Sequence, residues 1–324
     1  MPVDDELLRA AVAPGYTLDV LPDDFESLGS RYSGKVRENF TRDGRRTIVV
    51  TDRVSAFDRV LGTIPFKGQL LNRMAEYWFS TTGDLFPNHM REVPDAQAMH
   101  VVECEPIPVE VVVRGYLTGV SSTSIWRAYE SGVRVFCGHP LPEGLRRHEK
   151  LPINIVTPST KAPKGQHDES VAKEQLFERG LIEPELFNEL EEKALALFEL
   201  GQRRAAERGM ILVDTKYELG KTSDGQIVLI DEIHTPDSSR YWYADTYEKA
   251  MSDGENPRSI DKEYVRRWLV DQGFTGDGTP PVLPDEIRME AARRYIEAFE
   301  QITGTEFVPD TRPPVERLRD HLGA

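Results

Sequence analysis

Residues 211–219 and 226–233 constrain this chain more than any other part of it. Apolar residues recur at short spacing in both, as in strands, and Asp224-Gly225 between them is a strong two-residue hairpin signal. Side chains alternate faces along a strand, so Asp214, Lys216 and Glu218 share one face. With Asp224 and Gly225 as the loop pair, Ser223 is expected to pair with Gln226 and Glu218 to fall opposite Asp231. Two carboxylates across a ladder repel by up to ~1 kcal/mol, so positive charge is expected between them. Magnesium with phosphate ligands is one candidate, because one or two carboxylates plus substrate oxygens usually hold that ion. The other is Lys216 itself, as internal counter-ion on a solvated hairpin face.

The rest of the chain reads as strands first and mixed elements after. A short amphipathic helix is expected at 4–13. A hairpin comes next, from 33 to 52, turning at Asp43-Gly44. Residues 69–80 have helical spacing, with Leu70, Met74, Tyr77 and Trp78 on the buried face. The run 109–113 reads as a central strand, and 151–166, rich in Pro, Thr, Ser and Lys, as an extended loop. Residues 170–208 read as helix broken near 180–185, with Pro184 placed to start the second piece. Two further helices are expected near 261–271 and 285–302. This order favours an α+β fold over a doubly wound parallel sheet.

A chain of 324 residues can bury a sizeable core, and two domains are expected. Its net charge of −15 argues against nonspecific nucleic-acid binding and against an anionic membrane surface. Anionic substrates stay open, since a pocket can be basic beneath an acidic surface. Cys104 and Cys137 are too few for a disulfide framework or a thiolate zinc site and read as small buried hydrophobes. His89, His100, His139, His148, His234 and His321 show no metal-ligand spacing. The acidic start, with no long apolar run after it, does not read as a secretory signal, and no stretch approaches ~18 apolar residues. The expectation is a soluble, cytoplasmic protein.

Several segments carry chemistry. Gly29-Ser-Arg-Tyr-Ser-Gly34-Lys35-Val36 nearly spells a P-loop, but Val36 replaces the hydroxyl residue that would hold magnesium. A glycine-bearing turn over nucleotide phosphates, with Lys35 as the contact, fits better than a P-loop; a surface turn with a solvated lysine is the alternative. Thr51-Asp-Arg-Val-Ser-Ala-Phe-Asp58 ends a strand, where binding loops and loop caps both occur. Arg114-Gly115 comes directly after the strand 109–113, where a guanidinium can hold an anion bidentately. Thr157-Pro-Ser-Thr-Lys161 and His167-Asp168-Glu169 are dense in donors, although His167 also reads as an isolated surface histidine. Thr235-Pro-Asp-Ser-Ser-Arg240 adds Asp237, two hydroxyls and Arg240 beside the acidic hairpin. Together these residues point to a magnesium-dependent, ATP-using enzyme acting on an anionic small molecule.

Six motifs in order resemble those of the SAICAR synthetase family: Gly34-Lys-Val-Arg37, Thr51 to Asp58, Ile107-Pro-Val-Glu-Val-Val-Val-Arg-Gly115, Thr157-Pro-Ser-Thr-Lys-Ala162, Asp214-Thr-Lys-Tyr-Glu-Leu-Gly220 and Asp231-Glu-Ile-His-Thr-Pro-Asp-Ser-Ser-Arg240. The resemblance spans about 33–303, and the length and C-terminal helices look like the longer, fungal-type members. It implies a two-lobed α+β fold related to ATP-grasp and kinase folds, with antiparallel sheets, packed helices and ATP between the lobes. The lobes would be 1–112, β-rich, and 113–324, with the C-terminal helices in 255–324. The implied reaction is ATP-dependent ligation of the carboxylated aminoimidazole ribotide CAIR to L-aspartate through an acyl phosphate, giving SAICAR, ADP and phosphate.

The resemblance also implies roles. Lys35, with Gly34 and Arg37, would hold ATP phosphates, with Glu110, Val112 and Glu218 also on the nucleotide; Glu218 and Asp231 would bind Mg2+. Lys216 and Asp214 would be catalytic. Ser55, Arg114, Arg240, Ser238 and Ser122 would meet the ribotide, and Thr160, Lys161, His167 and Asp168 would belong to the substrate-closing segment. The family's Thr-Gly-Ser is replaced here by Thr118-Gly119 and then Val120, so the contacting serine is Ser121, Ser122 or Ser124. Leu219 stands where phenylalanine is usual and is expected to face away from Glu218. Partners are small molecules, with no nucleic acid and no membrane, and the protein is a monomer or homodimer. The rival readings are a small-molecule kinase on a related fold, which would ignore aspartate, and a silent nucleotide-binding scaffold.

Overall fold

Paired left-handed residues start the first sheet. Asp43 and Gly44 take φ of 52° and 74°, as a tight two-residue hairpin requires, and Arg42 pairs with Arg45 across them. The computed structural model, which describes residues 3–57, 59–120, 123–161, 168–260, 263–276 and 278–324, shows a mixed α+β fold with antiparallel sheets. In the first large sheet the order is Ser30–Ser33, Arg37–Arg42, Arg45–Val50, Ala98–Val102, Met90–Asp95. The expected hairpin is present, with its strand starting at Arg37 and Gly34–Val36 left as a turn closed by the Gly34 N–H on the Arg37 carbonyl, 2.8 Å. One face buries Phe40, Val49 and Ala98 against Leu18, Phe25 and Leu318; the other packs on the helix Lys67–Thr82. In that helix Leu70, Met74 and Trp78 are fully buried, and Tyr77 is half-buried.

The second large sheet is organised by the 13-residue strand Met210–Thr222. Its first half lies between Val109–Tyr116 and Ser239–Tyr243; its second half pairs with Ile227–Ile230 and Cys104–Pro106. The strand Val109–Tyr116 is central, as expected, but runs on past Val113, so Arg114 and Gly115 lie within it. A side chain at Gly115 would come within 2.9 Å of Asn154 and Gln202, so glycine is what lets the neighbouring elements close in. The extended loop expected at 151–166 is a correction: Lys150–Val156 and Ser159–Thr160 are strands on the open edge of Val109–Tyr116. An edge strand tolerates Pro152 because one side of it needs no ladder bonds, and the register shifts between Lys150 and Ile155.

The defining hairpin forms, one residue out of the expected register. Thr222 N–H donates to the Gln226 carbonyl (2.9 Å), so the loop is Ser223, Asp224 and Gly225, with Gly225 at φ 90°. A left-handed third loop residue adds a bulge, and Glu218 therefore pairs with Ile230 rather than Asp231. Asp231 itself takes φ 68°, which ends the strand and turns the chain.

Helices cover this sheet. Lys173–Glu178 and Pro184–Ala206 match the expected pair, with Pro184 in the first turn and Phe187, Leu190, Ala194, Leu197, Phe198 and Ala205 buried at helical spacing. Glu263–Asp271 and Asp285–Thr303 also stand where expected. Ala244–Asp253 and Pro314–Leu322 were not anticipated. The last helix returns to the first sheet, where Arg317 Nε meets Asp95 Oδ2 at 2.9 Å. No helix among the described residues is long and apolar enough to cross a membrane.

Candidate active site

Strand register assembles a charged face on the second sheet. Asp214 pairs with Arg114 on one side and Arg240 on the other, and Lys216 pairs with Val112. The same register carried two residues on brings Glu110 beside Glu218. The first row thus alternates in sign: Arg114 Nη1 lies 3.7 Å from Asp214 Oδ2, and Arg240 Nε 3.3 Å from Oδ1. Asp214 Oδ2 is buried and accepts no hydrogen bond among the described residues. Arg114 Nε donates to Thr157 Oγ1 at 2.8 Å, which ties the Thr157–Lys161 segment to the row. In the next rows Lys216 Nζ donates to Glu110 Oε1 (2.6 Å) and to Glu218 Oε1 (2.7 Å). Lys161 makes a further short contact with Glu218.

The first sheet reaches this face through Arg37. Its guanidinium makes a short ion pair with Asp231 and meets Glu232 Oε1 at 2.9 Å. Burial pushes the Asp231 carboxyl up, but the charge and hydrogen bond of Arg37 outweigh it and hold the group below the usual carboxylate range. Burial likewise opposes the Lys216 ammonium, and Glu218 and Glu110 more than offset it, so its proton is held more tightly than in an ordinary lysine. Burial raises the Glu110 carboxyl, against the charge and hydrogen bond of Lys216.

Comparison with known proteins decides what this face belongs to. The family model described as SAICAR synthetase matches residues 30–281. The chain belongs to the SAICAR synthetase family. It is 48% identical over 303 residues to a phosphoribosylaminoimidazole-succinocarboxamide synthase from Bacteroides thetaiotaomicron, covering 92% of this chain and 95% of that protein. Among solved structures it is similar to a SAICAR synthase from Saccharomyces cerevisiae in complex with SAICAR, at 30% identity and a TM-score of 0.78, over 90% of this chain and 100% of that one. A SAICAR synthetase in complex with ADP matches at 26% identity and a TM-score of 0.65, over 86% of this chain and 100% of that one.

For this SAICAR synthetase chain, the structure brings most of the residues singled out from sequence to one region. Glu110, Val112, Arg114, Asp214, Lys216, Glu218 and Arg240 share the sheet face, and Arg37, Asp231 and Lys161 border it. Leu219 is buried on the opposite face, as expected. Ser238 accepts the Lys216 N–H on its carbonyl at 3.1 Å. Gly34 and the exposed Lys35 form the turn preceding Arg37, and Ser55 is half-buried on the short strand Arg53–Ala56. Thr160 Oγ1 accepts the Glu169 N–H at 3.2 Å, with Asp168 exposed beside it. His167, Ser121, Ser122 and Asp58 lie outside the described residues. Ser124 caps the helix Ile125–Glu130, accepting the Arg127 N–H at 3.4 Å. The neighbouring Gly119, at φ 107°, brings backbone so close to Arg240 that an added side chain would stand 2.9 Å from its guanidinium.

Three contributors were not assigned from sequence. Arg53 donates to the carbonyls of Lys35 (2.8 Å) and Gly34 (3.0 Å) and to Glu38 (2.8 Å), clamping the glycine turn from below. Glu232 shares Arg37 with Asp231. Lys67, fully buried, holds Asp237 at 3.0 Å. Only the short Asp-Arg-Val-Ser motif hinted at Arg53; the others depend on partners far away in the chain. No group of three or more metal-ligating side chains gathers among the described residues. Two carboxylates, Glu218 and Asp231, nonetheless fit a magnesium ion that takes its other ligands from phosphates. Both stand where cations already gather, Lys216 and Lys161 at Glu218 and Arg37 at Asp231, and a divalent ion would share or replace those partners.

Proposed function

We propose that this chain is a phosphoribosylaminoimidazole-succinocarboxamide synthase of de novo purine biosynthesis, a carbon–nitrogen ligase that joins CAIR to L-aspartate with hydrolysis of ATP. The observation that carries the reading is the sheet face where Arg114, Asp214 and Arg240 alternate in sign beside Lys216, Glu110 and Glu218, in a chain of this family. A carboxylate is a poor acyl donor, so the CAIR carboxylate is first phosphorylated, and the aspartate amine then displaces phosphate from the acyl phosphate. Magnesium would be held by Glu218 and Asp231, and when bound would supply charge neutralisation for the phosphoryl transfer.

The remaining work falls to the chain itself. Lys35 and Gly34 present donors to the nucleotide phosphates from the turn that Arg53 braces, with Arg37 beside them at the start of the next strand. Glu110 and Val112, on the strand Val109–Tyr116 of the second sheet, line the nucleotide side of the cleft. Lys216 keeps its proton firmly, so it acts as a fixed cation beside the transferring group and not as a base. Arg114 and Arg240 bind the anionic groups of the ribotide, with Asp214 orienting both guanidiniums and Ser55, Ser122 and Ser238 adding hydroxyls. Thr160, Lys161, His167 and Asp168 close over the substrate. On this reading the enzyme is cytoplasmic, acts on small molecules, and is a monomer or homodimer.

The test is ADP release by purified protein with magnesium, ATP, CAIR and aspartate, each omitted in turn. Release that needs all four, with SAICAR formed in step, is the expected result. Release that ignores aspartate would assign a kinase instead, and no release would leave a nucleotide-binding scaffold.

A further inference from the structure

Asp237 directly precedes Ser238 and stands three residues before Arg240, and two distant parts of the chain hold its carboxylate. Lys67 Nζ, at the start of the helix Lys67–Thr82, lies 3.0 Å from Oδ2. The hydroxyl of Tyr295, in the helix Asp285–Thr303, donates to Oδ1 at 2.7 Å. Lys67 is 0% and Asp237 6% exposed at the side chain, and the ammonium sits 5.5 Å over the Tyr295 ring. Asp237 N–H also donates to Thr235 Oγ1 at 3.3 Å.

Residues 238–240 follow Asp237 directly, and Ser239 opens the strand Ser239–Tyr243. The Ser238 carbonyl receives the Lys216 N–H, Ser239 and Thr215 share a hydroxyl contact of 2.7 Å, and Arg240 pairs with Asp214. A carboxylate held by a lysine alone can still turn about its own axis, because an ammonium is a point charge with rotatable donors. A second bond, to a hydroxyl on a rigid ring, removes that freedom. Tyr295 lies beyond the family match, which ends at residue 281.

We propose that Tyr295 is a positioning residue for the ribotide site: its hydroxyl fixes Asp237, and through it the placement of Ser238 and Arg240. The inference rests on the proposed function. The apolar packing of its helix does not need the oxygen, since Ala292, Ala298, Phe299 and Ile302 are buried around it.

The experiment compares Tyr295→Phe with wild type and with Phe299→Leu, a variant that loosens the same helix without touching Asp237. Wild-type turnover requiring ATP, CAIR and aspartate comes first; its failure would count against the function, not against Tyr295. In Tyr295→Phe the KM for CAIR is expected to rise about 5- to 10-fold, a part of the ~10- to 150-fold that a hydrogen bond to a charged acceptor is worth, while the KM for ATP stays within about twofold. The rise in melting temperature on adding CAIR alone shrinks in this variant, and the rise on adding Mg–ATP does not. Phe299→Leu lowers the melting temperature of the free protein and leaves both KM values in place. An unchanged CAIR KM in Tyr295→Phe, or equal increases for CAIR and ATP, would overturn the positioning role.

Discussion

Asp231 shows how much a single residue decides here. Its left-handed backbone, φ 68°, ends the strand and brings the carboxylate to Arg37. Asparagine tolerates that conformation about as well as aspartate, so Asp231→Asn removes charge with little backbone cost. The expected outcome is an intact fold by circular dichroism and turnover lowered about 100-fold, the upper end of what loss of a group behind a metal ligand costs, since Asp231 would hold the ion itself. Near-full turnover at ordinary magnesium concentrations would remove Asp231 from the metal site. Asp214, Lys216 and Glu218 were legible in the sequence because strand periodicity alone puts them on one face. The Arg37–Asp231 pair was not, since its partners are 194 residues apart and no local rule joins them.

At the scale of elements, local chemistry settled types better than registers. Asp43-Gly44 formed the hairpin its dipeptide announces, and Asp224-Gly225 formed a hairpin with one more loop residue than the dipeptide suggests. That extra residue separates Glu218 from Asp231 in the ladder. The edge strand Lys150–Val156 was not legible because its pairing comes from Val109–Tyr116 and not from its own composition. The helix Pro184–Ala206 was legible, yet its depth against the sheet is set by Gly201. A methyl group there would stand 2.6 Å from the His234 ring and 2.7 Å from Leu212. His234 is fully buried, bonded to the Tyr217 hydroxyl at 2.6 Å, and cannot step aside cheaply. Gly201→Ala is therefore expected to destabilise the protein by about 1–3 kcal/mol, the usual cost of overpacking, measured by urea unfolding. A midpoint equal to wild type would mean that the helix moves outward freely.

For the whole molecule, the closing contact is made by the last helix, Pro314–Leu322, on the first sheet. Arg317 and Asp95 are 1% and 0% exposed, and Arg317 also donates to Gln97 Oε1 and, at 3.2 Å, to the Asp310 carbonyl. Replacing Arg317 by Ala leaves a buried carboxylate whose remaining side-chain contact on Oδ2 is His321 Nδ1 at 2.8 Å. The expected loss is about 3–5 kcal/mol of unfolding free energy, and a change below about 1 kcal/mol would show the carboxylate reaching water instead. The sequence by itself determined the α+β class, most elements, the six motifs that carry the family, and which side chains share the face of strand Met210–Thr222. These are local properties: periodicity, turn chemistry and short-range order along the chain. Only the tertiary structure decided that Arg114, Asp214 and Arg240 stand in one row, that Arg37 answers Asp231, and that Tyr295 and Lys67 meet at Asp237. Those contacts join residues far apart in the chain, and their geometry depends on strand register and helix depth, which the whole core sets at once.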